Sequence, residues 1–339
     1  MEDKNIIHNK RIIENKKQFN LKQFFFQWEW MLVAVFIVIN IMNTNLSPNY
    51  LSVTGILDAT MLFLDKAFMV LPMVFIIILG DIDISIASIT ALSSVGMAVA
   101  FNMGLPMPLA MVLGLIIGTV CGFINGILIV KFKELPAMIV TLSTMTIFRG
   151  IAYIILKDQA AGKFPEWYAY LGWGYVGVIP FMLIAFIVCA VLFALLLHKT
   201  TFGRSVYGMG NNTTACLYSG IKTDKIKVIV FTLMGLMSAV TALFLISRTG
   251  SARPNIALGY ELDVIAMVVL GGISTLGGKG RMLGAVISIF IIGLLRYGLG
   301  LINVPAQALM IIIGMILIVA VTIPNINLDK LRKKKKVTA

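Results

Sequence analysis

Gly80-Asp-Ile-Asp-Ile-Ser-Ile-Ala-Ser88 places two carboxylates between long apolar runs. A charged side chain at the centre of a bilayer costs from about 2.5 to well over 10 kcal/mol, so Asp81 and Asp83 need a structural or functional reason. Either aspartate could cap the apolar segment from Ile84 to Leu105, because a carboxylate accepts the N–H groups that a helix start leaves unpaired. Transporters also build polar sites from capped helix starts inside the membrane, so both interpretations stay open.

The apolar run before this stretch is short. Ala67 to Leu79 has about 13 residues, whereas a helix needs about 20 to span the hydrocarbon. A second short run, Val264 to Leu270, is followed by Gly271-Gly-Ile-Ser-Thr-Leu-Gly-Gly-Lys-Gly280. Paired short or glycine-interrupted segments indicate a translocation site, so we interpret the two breaks as parts of one solute pathway. The pathway candidates, with polar residues of neighbouring spans, are Asp81, Asp83, Ser85, Asn125, Thr141, Thr144, Gly271 and Gly272.

Each candidate has a structural alternative. Hydroxyl side chains in membrane helices more often bond the backbone or a neighbouring helix than a solute. Asn125 lies in a span whose glycines, Gly118, Gly122 and Gly126, form a small-residue packing face. The glycines from Gly271 onward could likewise serve close packing.

The composition identifies a membrane protein. Hydrophobic residues make up 59% of the 339 residues and charged residues 13%, and the mean hydropathy is +0.96. Soluble domains average about 25% charged residues, so a soluble globule is excluded. The net charge of +13 does not indicate nucleic-acid binding, because the basic residues crowd the two ends and a few short connections. Three cysteines and two histidines have no metal-ligand spacing, so we expect neither a metal site nor a cofactor.

Apolar runs and their breaks predict an all-α polytopic membrane protein with about ten transmembrane helices, some of them interrupted. The spans are expected near Trp28–Met42, Ala59–Leu79, Ser85–Phe101, Pro108–Val130, Ala137–Leu156, Val178–Leu197, Val228–Ser247, Leu262–Leu270 with its glycine-rich continuation, Met282–Leu299 and Pro305–Ile323. Residues 28–324 then form one transmembrane domain, between a basic leader (1–27) and a basic tail (325–339). Because basic segments stay in the cytoplasm, both ends should face it. Arg248 and Arg253 fall outside and are the exception.

Two chemical functions find little support in the motifs. A nucleotide-binding loop requires Gly, four residues, Gly, Lys and then Ser or Thr, whereas here Gly277 is followed by Gly278 and Lys279 by Gly280. Any ATP must therefore be bound by another polypeptide. No hydrolase motif is present, so no catalytic residue is assigned. A proton-coupled carrier acting without an ATPase stays open as an alternative, but the acids concentrate at one break and at span entrances (Asp58, Asp65, Glu261, Asp263).

The cytoplasmic stretch 198–227 is too long for a plain connector. Thr213 to Tyr218 can form a short helix that ends at Gly220, with Thr213 as a possible cap. Such a helix could dock a soluble partner, although a solvated linker is an equal alternative.

Over nearly its whole length the chain resembles the permease subunits of bacterial sugar-type ATP-binding-cassette (ABC) importers, the ribose/galactose group. The resemblance is carried, in order, by Gly80-Asp-Ile-Asp-Ile-Ser, Asn125-Gly126, Pro136 to Gly150, Phe202-Gly-Arg to Gly210-Asn211, Ser219-Gly-Ile221 and Leu270-Gly-Gly-Ile273 to Gly284. Gly80-Asp81 departs from the commoner Gly-Gly of ribose permeases. With Lys157-Asp-Gln159 it is more similar to the rhamnose and autoinducer-2 branch.

The resemblance implies a transport subunit of the bacterial inner membrane that is not itself an enzyme. Its implied partners are ABC ATPase subunits inside, an extracytoplasmic solute-binding protein outside, a second permease that is identical or different, and membrane lipid. The loop from Thr200 to Ile221 matches the segment that touches the ATPase, which gives the coupling candidates Gly203, Arg204, Gly210, Asn211, Ala215, Gly220 and Ile221. We expect uptake of a small sugar or sugar-like solute, with rhamnose and autoinducer-2 types as candidates, by alternating access.

Overall fold

The fold is described from a computed structural model over residues 28–47, 50–157 and 159–325. The predicted leader (1–27) and the predicted tail beyond Asn325 lie outside the described residues. Within them the helices are α1 (Trp28–Leu46), α2 (Val53–Ile78), α3 (Ile86–Asn102), α4 (Met107–Lys131), α5 (Ala137–Leu156), α6 (Ala169–Trp173), α7 (Phe181–Lys199), α8 (Thr201–Tyr218), α9 (Thr223–Thr249), α10 (Tyr260–Leu270), α11 (Met282–Leu301) and α12 (Ala306–Asn325).

Seven of the described helices are long and apolar enough to cross a membrane: α1, α2, α4, α5, α7, α9 and α11. Helix α3 has 17 residues and α10 has 11, and the apolar part of α12 is Gln307–Ile316. The predicted all-α polytopic class is confirmed. The predicted count of about ten is reached only by adding α3, α10 and α12.

Helix α2 is the central element of the bundle. It packs against α7, α9, α10 and α11, and all but one of its side chains from Ala59 to Ile78 are buried. A helix that is apolar on every side belongs in the interior. It is 26 residues long and continues through Asp65 and Lys66. The expected span Ala59–Leu79 is therefore part of one continuous helix, and the short apolar run from Ala67 to Leu79 is not a separate segment.

Helices α4 and α9 pack closely through glycines. A Cβ atom added to Gly122 would lie 2.3 Å from the carbonyl oxygen of Phe231, and one added to Gly235 would lie 2.1 Å from that of Gly118. The backbones approach this closely only because neither helix has side chains at these positions. The predicted packing face of Gly118, Gly122 and Gly126 is confirmed.

The loops at the end predicted to face outward form a small folded cap. It contains a 3-10 helix (Glu166–Tyr168), α6, and two antiparallel pairs, β1 (Ala161–Gly162) with β4 (Ser251–Ala252) and β2 (Tyr175–Val176) with β3 (Ile179–Pro180). The buried Tyr168 hydroxyl donates to the Leu243 carbonyl oxygen at 2.7 Å. The Trp173 ring N–H donates to the Arg248 carbonyl oxygen at 3.0 Å. These bonds tie the cap to the end of α9.

Candidate translocation and coupling site

The break after α2 is made by a glycine cap. The Gly80 N–H donates to the Ile77 carbonyl oxygen at 3.0 Å, and the Asp81 N–H donates to that of Ile76 at 3.1 Å. Gly80 has φ +82°, the left-handed conformation that side chains disfavour and that terminates many helices. The glycine therefore stops α2 and turns the chain toward Asp83.

The break after α10 has the same construction. Gly272 has φ +82°, its N–H donates to the Val269 carbonyl oxygen at 2.9 Å, and the Ile273 N–H donates to that of Val268 at 3.4 Å. Gly80 is thus equivalent in local structure to Gly272.

Four of the predicted pathway residues meet in one buried hydrogen-bond network. Asp83 Oδ1 accepts from the backbone N–H of Ser85 at 2.8 Å and from its hydroxyl at 2.6 Å. Asn125 Nδ2 on α4 donates to Ser85 Oγ at 2.8 Å, and Thr141 Oγ1 on α5 accepts from the Ile84 N–H at 3.3 Å. All four side chains are fully buried. The network joins the first break to α4 and α5.

Two acceptors of this network are unused. Asp83 Oδ2 and Asn125 Oδ1 have no hydrogen-bond partner among the described residues. A buried polar atom left without a partner costs about 1 to 3 kcal/mol. Asp83 accepts from Ser85 just before α3, but Ser85 is the cap residue and no side chain makes a capping bond there, so the predicted N-cap at Asp83 or Asp81 is wrong. The network still has room for two donors. Thr144 lies one turn further along α5 and donates to the Thr141 carbonyl oxygen at 3.2 Å.

Asp81 points away from this network toward the predicted cytoplasmic end. Its Oδ2 lies 2.6 Å from Lys227 Nζ, at the start of α9. The pair lines a cavity of about 450 Å³ that is also lined by Thr213 of α8. A second ion pair there, Lys133 with Asp224 at 2.8 Å, is exposed on both sides. The first break, α8 and the start of α9 therefore share one charged cavity.

Gly271 and Gly272 occupy packed contacts. A Cβ atom on Gly271 would lie 2.6 Å from the Ala285 backbone, and one on Gly272 would lie 2.3 Å from the Trp28 ring. The Trp28 ring N–H also donates to the Leu270 carbonyl oxygen at 2.9 Å. In this conformation Gly271 packs on α11 and Gly272 packs on α1, and neither is part of the network around Asp83.

Helix α8 is kinked at Asn212, where φ is −160° and ψ is 97°. The Asn212 side chain accepts from the Ala215 N–H at 2.9 Å and so caps the short helix Thr213–Tyr218. This helix ends at Gly220, which has φ +79°. The predicted short helix and its end are confirmed, but the cap is Asn212 and the predicted cap Thr213 is wrong.

Gly210 brings α8 against both breaks. Gly278, in the loop after α10, donates its N–H to the carbonyl oxygen of Ile78, the last residue of α2, at 2.8 Å. A Cβ atom on Gly210 would lie 1.8 Å from that same oxygen and 2.5 Å from the Gly278 nitrogen. The backbone of α8 thus touches the end of α2 and the loop after α10 at a single point, which only glycine can occupy.

The neighbours of Gly210 strengthen this contact. Asn211 Nδ2 donates to the Tyr207 carbonyl oxygen at 2.8 Å and to that of Gly278 at 3.4 Å. The Tyr207 hydroxyl donates to the Gly280 carbonyl oxygen at 2.7 Å. Burial raises the pKa of Tyr207, with the Arg281 charge acting in the opposite direction, so the phenol keeps the proton that it donates. Gly203 packs instead against the end of α7.

The remaining coupling candidates lie mostly on the surface. Arg204, Ala215 and Gly220 are exposed and Ile221 is half-buried. Beside them Leu217 and Tyr218 expose 59% and 87% of their surface. Helix α8 therefore has an inner side on the two breaks and an outer side with large exposed side chains.

A buried ionic cluster was not anticipated from the sequence. Asp263 accepts from Lys66 at 2.7 Å and from Arg296 at 2.5 Å, and Asp65 accepts from Arg248 at 2.7 Å. The cluster joins α2, α9, α10 and α11, and the side chains of Lys66 and both aspartates are at most 8% exposed. Asp65 lies in the interior of α2 and not at a span entrance as expected. The available signal was the pair of opposite charges at 65 and 66 inside a predicted span.

Comparison with known proteins defines the class. The family described as branched-chain amino acid transport system / permease component matches residues 55–321. The chain belongs to this family of transport permeases.

Several curated relatives match most of the chain. The ribose import permease protein RbsC of Bacillus subtilis is 39% identical over 292 residues, 86% of this chain and 89% of the relative. The L-arabinose transport system permease protein AraH of Escherichia coli is 35% identical over 310 residues, 91% and 93% of the two chains. The autoinducer 2 import system permease protein LsrD of Escherichia coli is 33% identical over 316 residues, 91% and 95%. No solved structure matches the chain significantly.

Proposed function

We propose that this protein is the membrane permease subunit of an ABC importer that takes up a small sugar or sugar-like solute across the bacterial inner membrane. The proposal is supported by relatives named as ribose, arabinose and autoinducer-2 permeases, which align with nearly the whole chain. ATP is bound and hydrolysed by a separate subunit. The permease provides the passage and converts the motion of that subunit into opening and closing.

The contact of Gly210 with both breaks is the observation that carries the mechanism. An ATPase that binds the exposed Leu217 and Tyr218 would move α8 when it changes conformation. Because Gly210 touches the Ile78 carbonyl oxygen and Gly278 at once, this motion reaches both breaks without an intermediate element. The coupling role covers Gly203, Arg204, Gly210, Asn211, Ala215, Gly220 and Ile221.

The proposed passage runs between two permease subunits, along α5. Ser143 and Thr146 expose hydroxyls on the outer face of α5, whereas the exposed faces of α4 and α7 are apolar except at their basic ends. Each hydroxyl donates to its own helix, to Ile139 and Leu142, and so keeps acceptor positions for a solute. A second permease, identical or different, would cover this face and enclose the path.

In this conformation the polar network behind α5 is closed. We propose that opening of the breaks exposes Asp83 and Asn125, whose unused oxygens accept hydroxyl donors of the solute. The pathway proposal retains Asp81, Asp83, Ser85, Asn125, Thr141 and Thr144, with Gly271 and Gly272 as the packed base of the second break. A polyol or deoxy sugar of the rhamnose or autoinducer-2 type has donors of this kind and no net charge to desolvate.

A proton-coupled carrier without an ATPase is the alternative. Two buried acids of the helix bundle, Asp65 and Asp263, have cationic partners within 2.7 Å, which favours a structural role for them over proton exchange. Asp83 is bonded only to Ser85 among the described residues, so it is the acid on which the alternative depends.

Reconstitution discriminates between the two functions. The purified chain is placed in liposomes with or without the ATPase and the solute-binding protein, and uptake of labelled solute is measured. The proposal predicts uptake only with both partners and ATP. Uptake driven by a pH gradient across liposomes that lack the ATPase would establish the carrier instead. Competition by unlabelled rhamnose, ribose, arabinose or autoinducer 2 then identifies the solute.

A further inference from the structure

A groove of about 530 Å³ lies between α7 and α11, apart from the proposed passage. Its walls are apolar and include Phe186, Ala190 and Ala194 from α7 and Met282, Val286 and Phe290 from α11. The adjoining face of α7 exposes more than half of Val188 and of Leu192. An aliphatic face of this kind on a spanning helix meets hydrocarbon. The groove is therefore accessible to lipid chains.

One end of the groove is basic. His198 and Arg281 line that end, and Lys199 follows His198 in the last turn of α7. His198 accepts from the N–H of Met282, the residue that follows Arg281, so the chain positions that carry the two cations adjoin one contact. The Arg281 and Lys199 side chains are exposed. The cationic groups are thus available to a ligand.

The backbone adds to the positive potential. Helix α11 begins at Met282 with Arg281 at its cap position, and the Arg281 side chain makes no capping bond. The Met282 N–H is satisfied by His198 Nε2 at 3.3 Å. The positive end of the helix dipole therefore lies beside Arg281, where an anion is favoured.

We propose that this groove binds an anionic phospholipid, with an acyl chain along its apolar walls and the phosphate between Lys199, Arg281 and the start of α11. Basic pockets between membrane helices on the cytoplasmic side bind such head groups. An anionic lipid complements the positive charge of the groove. The leader and the tail of this chain are both basic, so neither is a favourable occupant. That this lipid belongs to the inner leaflet rests on the proposed function, which places the basic end of the groove at the cytoplasmic side. The preference for an anionic lipid does not depend on it.

Glu29 is an internal competitor for the head group. Its carboxylate lies 3.1 Å from Arg281 Nη1, and the Arg281 side chain is 63% exposed. Glu29 is 21% exposed, and an ion pair whose cation is this open to solvent contributes little, so a phosphate can displace the carboxylate. Removal of Glu29 should therefore increase lipid binding, a result that a purely structural role for Arg281 does not predict.

The site adjoins the coupling contact. The His198 ring stacks on Tyr207 with centroids 6.3 Å apart, and the Tyr207 hydroxyl donates to Gly280. A bound phosphate would hold the start of α11 and the loop before it against α8. Uptake by the assembled transporter should accordingly depend on anionic lipid.

Native mass spectrometry of the full-length, delipidated permease tests the binding. The protein is incubated with phosphatidylglycerol, cardiolipin or phosphatidylethanolamine, and the bound fraction is measured. We expect both anionic lipids to be retained over phosphatidylethanolamine. Stronger retention of cardiolipin than of phosphatidylglycerol would indicate that two phosphates are bound. Equal retention of all three lipids by the wild-type chain would overturn the proposal without touching the proposed function.

Variants locate the site. Lys199→Gln and Arg281→Gln should each lower anionic lipid affinity about fivefold, the share expected of one surface cation. Lys131→Gln, which removes the same charge from the end of α4, should leave it unchanged, and Glu29→Gln should raise it. An anionic preference that survives loss of both Lys199 and Arg281 would contradict the assignment.

The apolar half of the site is tested separately. Ala194→Phe fills the groove and should displace the lipid, whereas Leu192→Phe on the open face of α7 should not. Gel-filtration profiles identical to wild type establish that both variants are folded. Unchanged lipid retention in folded Ala194→Phe would place the bound lipid elsewhere.

Discussion

Replacing Gly210 with alanine should disconnect ATP hydrolysis from solute uptake. The added Cβ atom would lie 1.8 Å from the Ile78 carbonyl oxygen and 2.5 Å from the Gly278 nitrogen, although real Cβ atoms essentially never approach closer than 3.0 Å. Both neighbours are backbone atoms that cannot rotate away, so α8 must retreat by more than an ångström. Overpacking of this kind typically costs about 1 to 3 kcal/mol, which changes the population of the closed contact about fivefold to more than a hundredfold.

Gly208→Ala is the matched control on the same helix. A Cβ atom there meets only the Cys216 sulfur, at 3.0 Å, and that side chain can turn aside. The assay compares solute uptake with ATP hydrolysis in the same proteoliposomes, which contain the ATPase and the solute-binding protein. Gly210→Ala should keep ATP hydrolysis and lose at least about fivefold of the solute moved per ATP, while Gly208→Ala should stay near wild type. Full uptake per ATP by Gly210→Ala would refute the coupling contact.

Three further substitutions test other parts of the account. Asn212→Ala removes the cap of the short helix and should destabilise it by about 1 kcal/mol, seen as faster amide exchange there; unchanged exchange would mean that the cap does not hold it. Asp263→Asn leaves two cations without their carboxylate and should destabilise the fold by about 3 to 5 kcal/mol, whereas Asp224→Asn in an exposed pair should cost about 1 kcal/mol or less; thermal unfolding in detergent that does not separate the two would contradict the cluster. Thr146→Trp on α5 should block uptake, and Leu192→Trp on α7 should not; equal uptake by both would exclude the passage along α5.

Local patterns in the sequence were sufficient for much of the fold. Hydropathy located the spans because the bilayer requires apolar runs of fixed length. The glycines at 118, 122 and 126 indicated a packed face, which Gly235 of α9 completes. Gly80 and the glycines near 271 marked real helix ends, because a left-handed residue is needed to stop a helix and turn the chain.

Contacts between distant segments were not predictable in this way. Because Asp65 and Lys66 are charged, the apolar run before Gly80 has only about 13 residues in the sequence. Their ion pairs with Arg248 and Asp263, nearly 200 residues away, allow α2 to continue through them as one long buried helix. The meeting of Gly210 with Ile78 and Gly278 depends equally on how separate helices pack. For the same reason the sequence did not show which hydroxyls of α5 are buried. Thr141 lies in the buried network, whereas Ser143 and Thr146 are exposed.

Thiol labelling of the two breaks tests the central claim most directly. Ile84→Cys and Ile273→Cys, each in a chain without its native cysteines, are assembled with the ATPase and labelled with and without ATP. Met103→Cys, between α3 and α4 at a position that is 83% exposed, serves as the accessible control away from both breaks. The account predicts labelling rates at both breaks that change with nucleotide while the control stays constant. Equally slow labelling at both breaks in every nucleotide state would contradict a passage that α8 opens.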